Sequence, residues 1–382
     1  MIFHIFIIKG KHMKRFFLGV MLLFSLFAFA ADMADEFDRS ATGTPELLQT
    51  GADKSWCPVC GMNLPMYYKT NFAAKLKNGS AKQYCSIRCF AEDYGNISEN
   101  IKEILAMDAA KEKFTNAKTA QYVLGSSAPG TMTNVSKYAF ASLNDAKAFQ
   151  KTYGGEIVNY ENAIKATLDT IQTDREASAG RKAKMMYPMG EKIYKSVCKP
   201  VEPSEFETIS AMKAYIKNNA VCGELKEGQL QALSLYLWEV SRKNAPGYST
   251  ISVPEKAKCP VCGMFVAKYP KWAAQITYTD AKGAENSLYF DGVKDLVKFK
   301  ETPSKWGKYK GIKITKVLVT DYYSGKAIDG TAAFYVAGSD VYGPMGHELI
   351  PFESEKNAKT FMTDHNGKEI VKYADIKASK IK

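Results

Sequence analysis

The sequence predicts an α+β protein. It reads as two modules of small antiparallel sheets with flanking helices, separated by a small all-helical domain. Three observations predict this. The hexapeptide Cys57-Pro58-Val59-Cys60-Gly61-Met62 recurs unchanged as Cys259-Pro260-Val261-Cys262-Gly263-Met264, 202 positions later. A repeat at that distance signals a duplicated domain rather than a solenoid, whose periods are far shorter. Each copy is followed by alternating segments and a hairpin turn, the pattern of paired strands. Between the copies, Leu230, Leu233, Leu237 and Trp238 form a stripe with helical period.

In chain order, Lys14-Arg15 precede an apolar run from Phe16 to Phe29, and Ala28-Phe29-Ala30 supplies a small-x-small cleavage site. Residues 1–30 therefore read as a secretory signal, with Met13 as a second possible start. The run is short for a membrane span of about 20 residues, so no transmembrane span is expected after cleavage. The mature chain is expected to begin near Ala31, exported to the periplasm and soluble. No cysteine follows the run to carry a lipid.

Residues 31–52 are polar and lead into a first module at 52–165. Asn71–Leu76 alternates like a strand, Asn78-Gly79 is a hairpin signal, and Lys82–Tyr84 returns. Cys85 and Cys89, four apart, are expected on one face of the following helix. A helical segment over Ile97–Asp108 comes next, then a strand at Thr119–Leu124. A Gly/Ser/Pro loop from Gly125 to Gly130 leads to Met132. A strand at Lys137–Phe140 and a helix at Leu143–Tyr153 complete the module.

An exposed helix is expected over 166–185, and a helical domain over 186–248 with helices at Gly190–Cys198 and around Leu230–Trp238. The second module, 250–382, repeats the first. Strands fall at Trp272–Ile276, Leu288–Phe290, Val317–Asp321 and Ala333–Val336, and a helix starts after Asp291. Tyr335–Ser339 echoes Tyr122–Ser126, and the same offset carries Met132 onto Met345 and Asn134 onto His347.

Composition excludes several functions. The hydrophobic fraction of 46% and charged fraction of 24% are those of a folded protein, and 382 residues suffice for two or three domains. The net charge of +12 is spread out, with no Arg-rich helix or dense basic tract, so nucleic acid is not an expected partner. The four histidines are His4, His12, His347 and His365. Most of the chain therefore cannot run Ser-His-Asp or Cys-His catalysis or build a His-rich zinc hydrolase site.

Sulfur is what remains, and three chemistries compete for it. A redox dithiol would need a thioredoxin-like strand–motif–helix setting, whereas here Gly-Met and further extended segments follow the motif. A structural zinc site is chemically adequate in the first copy, from Cys57, Cys60, Cys85 and Cys89. The second copy lacks the latter pair and has Asp291 and Lys294 nearby instead. Both copies keep two cysteines, a methionine two positions later and a distant methionine. Thiolate with thioether is a soft donor set that selects Cu(I). The candidate copper ligands are Cys60, Met62 and Met132 in the first copy. In the second they are Cys262, Met264 and Met345, with His347 as an extra donor. The leading cysteines, Cys57 and Cys259, stay open between ligand, disulfide partner and neighbouring thiol. Met185, Met186 and Met189 form a second, weaker copper hint, outweighed by ordinary packing or exposure.

Cys262-Gly263-Met264, Ala274-Gln275-Ile276, Phe290-Asp291, Asp321-Tyr322 with Ile328-Asp329, Tyr335-Val336 and Pro344-Met345-Gly346 together resemble the NosL family. Its members are exported copper chaperones that assist assembly of the copper centres of nitrous-oxide reductase. The resemblance covers roughly 250–375 and, less closely, 52–160. The first copy, through Cys57-x-x-Cys60 and Tyr84-Cys85-Ser86-x-x-Cys89, is also similar to TRASH-type metal-trafficking modules. The chain departs from the family in lacking a lipid-attachment cysteine, and its first copy has Asn134 where the second has His347.

The middle segment resembles a small c-type cytochrome without its haem motif. No Cys-x-x-Cys-His and no local histidine is present, so no haem is expected. Cys198 and Cys222 are candidates for a disulfide in its place. The resemblance implies a non-enzymatic periplasmic Cu(I) chaperone of denitrification, delivering copper to nitrous-oxide reductase or its copper-loading machinery. A thiol oxidoreductase and a structural zinc-binding interaction protein are the alternatives.

Overall fold

A computed structural model describes residues 37–307 and 309–377. The signal segment at 1–30 lies outside the described residues. The chain divides after Asp38, and Arg39 onward forms one unit, to which everything below refers.

The first module is organised by hairpin pairing. Strands β1 (Phe72–Leu76) and β2 (Ala81–Tyr84) pair antiparallel, Phe72 opposite Tyr84. Their turn is closed by the Asn78 side chain, which accepts from the Ser80 amide, and by Gly79 at φ +90°. Helix α1 (Ile87–Ile97) follows, capped by the Ser86 hydroxyl accepting from the Cys89 amide. Ile101–Asp108, expected as the end of a helix, is instead strand β3. Ile101, Ile104, Leu105 and Asp108 mimic helical spacing, but the segment lies between β1 on one side and β4 (Lys113–Asn116) on the other. From Ile104 to Asp108 every residue is buried, as a central strand requires.

Strands β5 (Gln121–Leu124), β6 (Lys137–Phe140) and β7 (Glu156–Val158) complete a seven-stranded sheet of order β2-β1-β3-β6-β5-β7, with β4 on β3. A single parallel bridge, Asp108 to Ala139, joins its two halves. Helix α2 (Leu143–Tyr153) starts at the Ser142 cap and stops at Gly154, φ +71°.

The chain then becomes helical: α3 (Tyr160–Arg181), α4 (Tyr187–Val197), α5 (Ile209–Asn218) and α6 (Glu227–Tyr236). The helix expected to stand exposed over 166–185 buries Ala163, Thr167, Asp174 and Ser178. Asp174 accepts from the Asn134 amide, and Arg175 pairs with Glu92 of α1. α4 crosses α6 at Gly190, where a Cβ would lie 2.2 Å from the Ala232 carbonyl oxygen. Cys198 and Cys222 form a disulfide. Met212, Leu230, Leu233 and Leu237 make the core here, and Trp56 of the first module joins them.

The second module follows the first element by element. β8 (Ala274–Thr279) and β9 (Glu285–Phe290) form the hairpin, α7 (Val293–Glu301) the helix, and β10 (Lys313–Thr320) and β11 (Ala327–Asp329) close a sheet of order β11-β10-β8-β9. β12 (Phe334–Ala337), β15 (Ile350–Phe352), helix α8 (Glu355–Asp364) and β16 (Glu369–Lys372) make a separate sheet of order β15-β12-β16. The bridge that unites the halves of the first sheet has no counterpart among the described residues. A two-stranded ribbon, β13 (Tyr342–Gly343) and β14 (Gly346–His347), carries Met345 at its tip. The fold is thus α+β, with eight α-helices among the described residues.

Candidate metal centres

Each hexapeptide is a tight turn. The Cys57 amide donates to the Met62 carbonyl at 2.9 Å, and the Gly61 amide to the Cys57 carbonyl at 2.8 Å. Cys259 with Met264, and Gly263 with Cys259, repeat these bonds at 2.9 Å each. Both turns need a left-handed residue, and glycine supplies it: Gly61 at φ +72° and Gly263 at φ +80°.

In the first copy the turn faces the end of β2 and the start of α1. Cys85 is not on the helix face expected for it, because it precedes the Ser86 cap, while Cys89 lies in the first helical turn. The cap brings the two sulfurs together all the same, 3.6 Å apart. Cys60 lies 3.5 Å from Cys85 and 3.7 Å from Cys89, and all four sulfurs, Cys57 included, fall within 4.8 Å of one another. A tetrahedral ion with metal–sulfur bonds of about 2.3 Å holds sulfurs about 3.8 Å apart. The sulfurs of Cys60, Cys85 and Cys89 match that spacing to within a few tenths of an ångström, and Cys57 lies within reach as the fourth.

The four cysteines are at most 4% exposed. Half-buried Met62 and Met132 pack against the same core. Met132 has φ +61° and is held by the Arg88 guanidinium, which donates to its carbonyl at 3.0 Å. Burial pushes the Cys57 thiol up, yet the thiols of Cys60, Cys85 and Cys89 donate toward it and hold its pKa well below the ordinary value. Donating to Cys57 and Cys60, together with burial, raises Cys89 well above it. Cys85 is raised chiefly by its bonds to Cys57 and Cys60. The cluster therefore favours losing a proton at Cys57 before Cys85 or Cys89.

In the second copy Asp291 stands at the place of Cys85 and Asp295 at the place of Cys89. The Cys262 sulfur lies 3.1 Å from Asp291 Oδ1 and the Cys259 sulfur 3.6 Å from Asp295 Oδ2. The four ligand atoms again fall within 4.8 Å of one another. Cys259, Asp291 and Asp295 are buried and Cys262 half-buried. Among the described residues Asp291 Oδ2 is buried without a hydrogen-bond partner, which fits a carboxylate able to take a cation. Burial, with Asp291 alongside, pushes the Cys262 thiol up to about 12, and burial drives Cys259 higher still.

Lys294 does not occupy the position of a lost cysteine. It matches Arg88, and its ammonium donates to the Met345 carbonyl at 2.5 Å as Arg88 does to that of Met132. This pair of contacts supports the Met132–Met345 correspondence independently of sequence. Met264 is half-buried, Met345 is 45% exposed at its ribbon tip, and exposed His347 lies against Tyr342 with ring centroids 4.5 Å apart. The geometry thus gathers four cysteines around the first turn, with Met62 and Met132 against the same core, and two cysteines with two carboxylates around the second.

Asp295 is the residue sequence reasoning missed. Its signal was present, since an aromatic followed by Cys-x-x-x-Cys at 84–89 recurs as an aromatic followed by Asp-x-x-x-Asp at 290–295. Glu348 was also missed. It is buried beside α7 and accepts from the Lys294 and Leu349 amides. A Cβ on residue 292 would lie 2.0 Å from its Oε2, which explains Gly292.

The sequence model of the NosL family matches residues 49–168 and 250–381, more than half of the chain and both modules. The chain belongs to the NosL family. The match leaves the helical segment between the modules uncovered. Among solved structures, the copper chaperone NosL from Shewanella denitrificans is similar at 24% identity. That alignment covers 35% of this chain and 100% of that one, with a TM-score of 0.30. No curated protein matches. Among the described residues of this NosL family member, no helix is long and apolar enough to cross a membrane.

Proposed function

We propose that this NosL family member is a Cu(I) chaperone, a carrier rather than an enzyme, with one metal site in each module. The observation that carries the reading is the buried set of Cys57, Cys60, Cys85 and Cys89, with Met62 and Met132 packed against the core that contains it. Soft sulfur favours Cu(I). Cys262, with Met264, Met345 and His347 nearer the surface, would form the second site, and Cys259, Asp291 and Asp295 line its floor. Mixed donors and partial exposure suit release by ligand exchange. The receiver in this proposal is nitrous-oxide reductase or its copper-loading machinery, as the family resemblance of the sequence implies. Export to the periplasm is supported by the amino-terminal apolar run and by the Cys198–Cys222 disulfide, a bond of oxidising compartments.

The test is titration of the reduced protein with Cu(I) against a competing chelator. Two tight equivalents are expected, and the double variant Cys60→Ser, Cys262→Ser should lose both. Unchanged affinity in that variant would overturn the reading.

One observation favours a second reading for the first site alone. Four cysteines with no open position is also the donor set of structural zinc, and it is the feature behind the likeness to TRASH-type modules. Zinc rather than copper in protein purified under reducing conditions would favour it. The oxidoreductase alternative has less support, because neither Cys-x-x-Cys opens a helix and burial raises Cys259 and Cys262. The close crossing of α4 and α6 at Gly190 is compatible with a cytochrome-like origin for the middle segment.

A further inference from the structure

The two hexapeptides share sequence and turn geometry, so any difference in behaviour must come from what surrounds them. The first is gripped from outside. Lys213 of α5, with its side chain fully buried, spends its three N–H bonds on the Gly61 carbonyl at 2.8 Å, Glu227 Oε1 at 2.6 Å and Gln231 Oε1 at 2.6 Å. Gln231 of α6 donates in turn to the Cys60 carbonyl at 2.8 Å. Trp56, just before the turn, donates to Glu227 and lies under the ammonium groups of Lys213 and Lys217. Ile209 closes the remaining gap, since a Cβ on Gly61 would sit 3.2 Å from its Cδ1.

The second turn has none of this. Nothing lies within 4 Å of a Cβ built on Gly263. Among the described residues no hydrogen bond reaches the carbonyls of Cys262 or Gly263.

We infer that the middle helical segment is a built-in clamp on the first metal loop. Lys213 and Gln231 are its positioning residues. They hold the Cys60-Gly61 backbone so that the first site retains its ion while the unclamped second site exchanges. A thiolate ligand leaves its metal more readily when its loop can swing. Here that motion requires breaking two bonds to the backbone and uncovering a buried ammonium, which is costly without its partners. Residues 186–248 thereby acquire a task inside a carrier: they divide one chain into a holding site and a passing site. The inference rests on the proposed metal role of both turns, but it also makes a claim about the metal-free chain.

The experiment uses the full chain and the variants Lys213→Met and Gln231→Leu, which keep side-chain volume. Loaded with Cu(I) and mixed with excess chelator, the wild type should release metal in a fast and a slow phase. Each variant should speed the slow phase about tenfold or more, the scale of lost second-layer contacts, and leave the fast phase unchanged. In the metal-free reduced chain, either variant should speed iodoacetamide labelling of Cys60 several-fold and leave the labelling rate of Cys262 unchanged. If Lys213→Met does not fold, Gln231→Leu carries the test. Unchanged slow-phase release and unchanged Cys60 labelling in Gln231→Leu would overturn the clamp. Absence of copper binding by the wild type would instead overturn the chaperone reading, and the labelling comparison would still decide the clamp.

Discussion

At Cys57–Met62 the turn meets two helices, and its sulfurs meet two more cysteines. At Cys259–Met264 the same six residues meet solvent on one side and two aspartates on the other. Local sequence fixes the turn in both places, through the glycine and the two short-range hydrogen bonds. Donor set, exposure and mobility are set by residues far away in the chain. An identical motif therefore does not imply an identical site, and the contrast can be attacked at several points.

The largest effect is expected at the first cluster. Replacing Cys60 and Cys85 together by serine removes two of four thiolates, and Cu(I) affinity there should fall by at least about 100-fold. The second equivalent should stay as it was, and an equal loss at both sites would erase the distinction. Next comes conversion. Asp291→Cys combined with Asp295→Cys rebuilds the first donor set on the second turn, so affinity for soft ions should rise by about tenfold or more. No change in a Cu(I) competition titration would show that the carboxylates stand outside the site.

A third test is thermodynamic. Burial pushes the Glu348 carboxyl from its ordinary 4.5 up to about 7, and the first module has Val135 at this position. Between those values the folded chain keeps a proton that the unfolded chain has released. Stability should therefore fall as pH rises through this window and level off above it. The total is on the order of 3 kcal/mol, and Glu348→Gln should flatten the profile in thermal melts from pH 4 to 8. A variant with the wild-type slope would remove Glu348 from the account.

The smallest effect concerns the glycines. Gly61→Ala and Gly263→Ala each carry left-handed strain of about 1 kcal/mol. Gly61→Ala should cost roughly 1 kcal/mol more by denaturant melts, because its new methyl meets Ile209 and Gln231. Equal costs would mean that the helices do not press on the turn.

What was legible in the sequence was local. Asn78-Gly79 marked the hairpin, and the helix expected at Leu143–Tyr153 is α2. The duplicated hexapeptide announced the two modules. β3 was misread because its apolar residues fall at helical spacing, and the strands that pair along its two edges are not visible in its own sequence. Cys85 and Cys89 were legible as partners of the first turn because cysteine is rare and reactive. Asp295 was not, because an aspartate in the first turn of a helix is an ordinary residue. Lys213 and Gln231 were beyond reach altogether. Their contacts with the turn span 152 and 171 positions, and no local pattern distinguishes them from solvated side chains.

The disulfide between Cys198 and Cys222 poses a sorting problem for the whole chain. Eight cysteines can pair in about a hundred ways, yet two are joined and six are free. Three of the free sulfurs lie within 3.7 Å of one another, so an oxidant that makes the one bond finds them almost ready to make others. Correct maturation then depends on order of events. The first cluster has to be folded and shielded, or filled, before oxidation reaches it. Refolding from the reduced state with metal withheld should scramble these pairings, and non-reducing peptide maps would display the mixture.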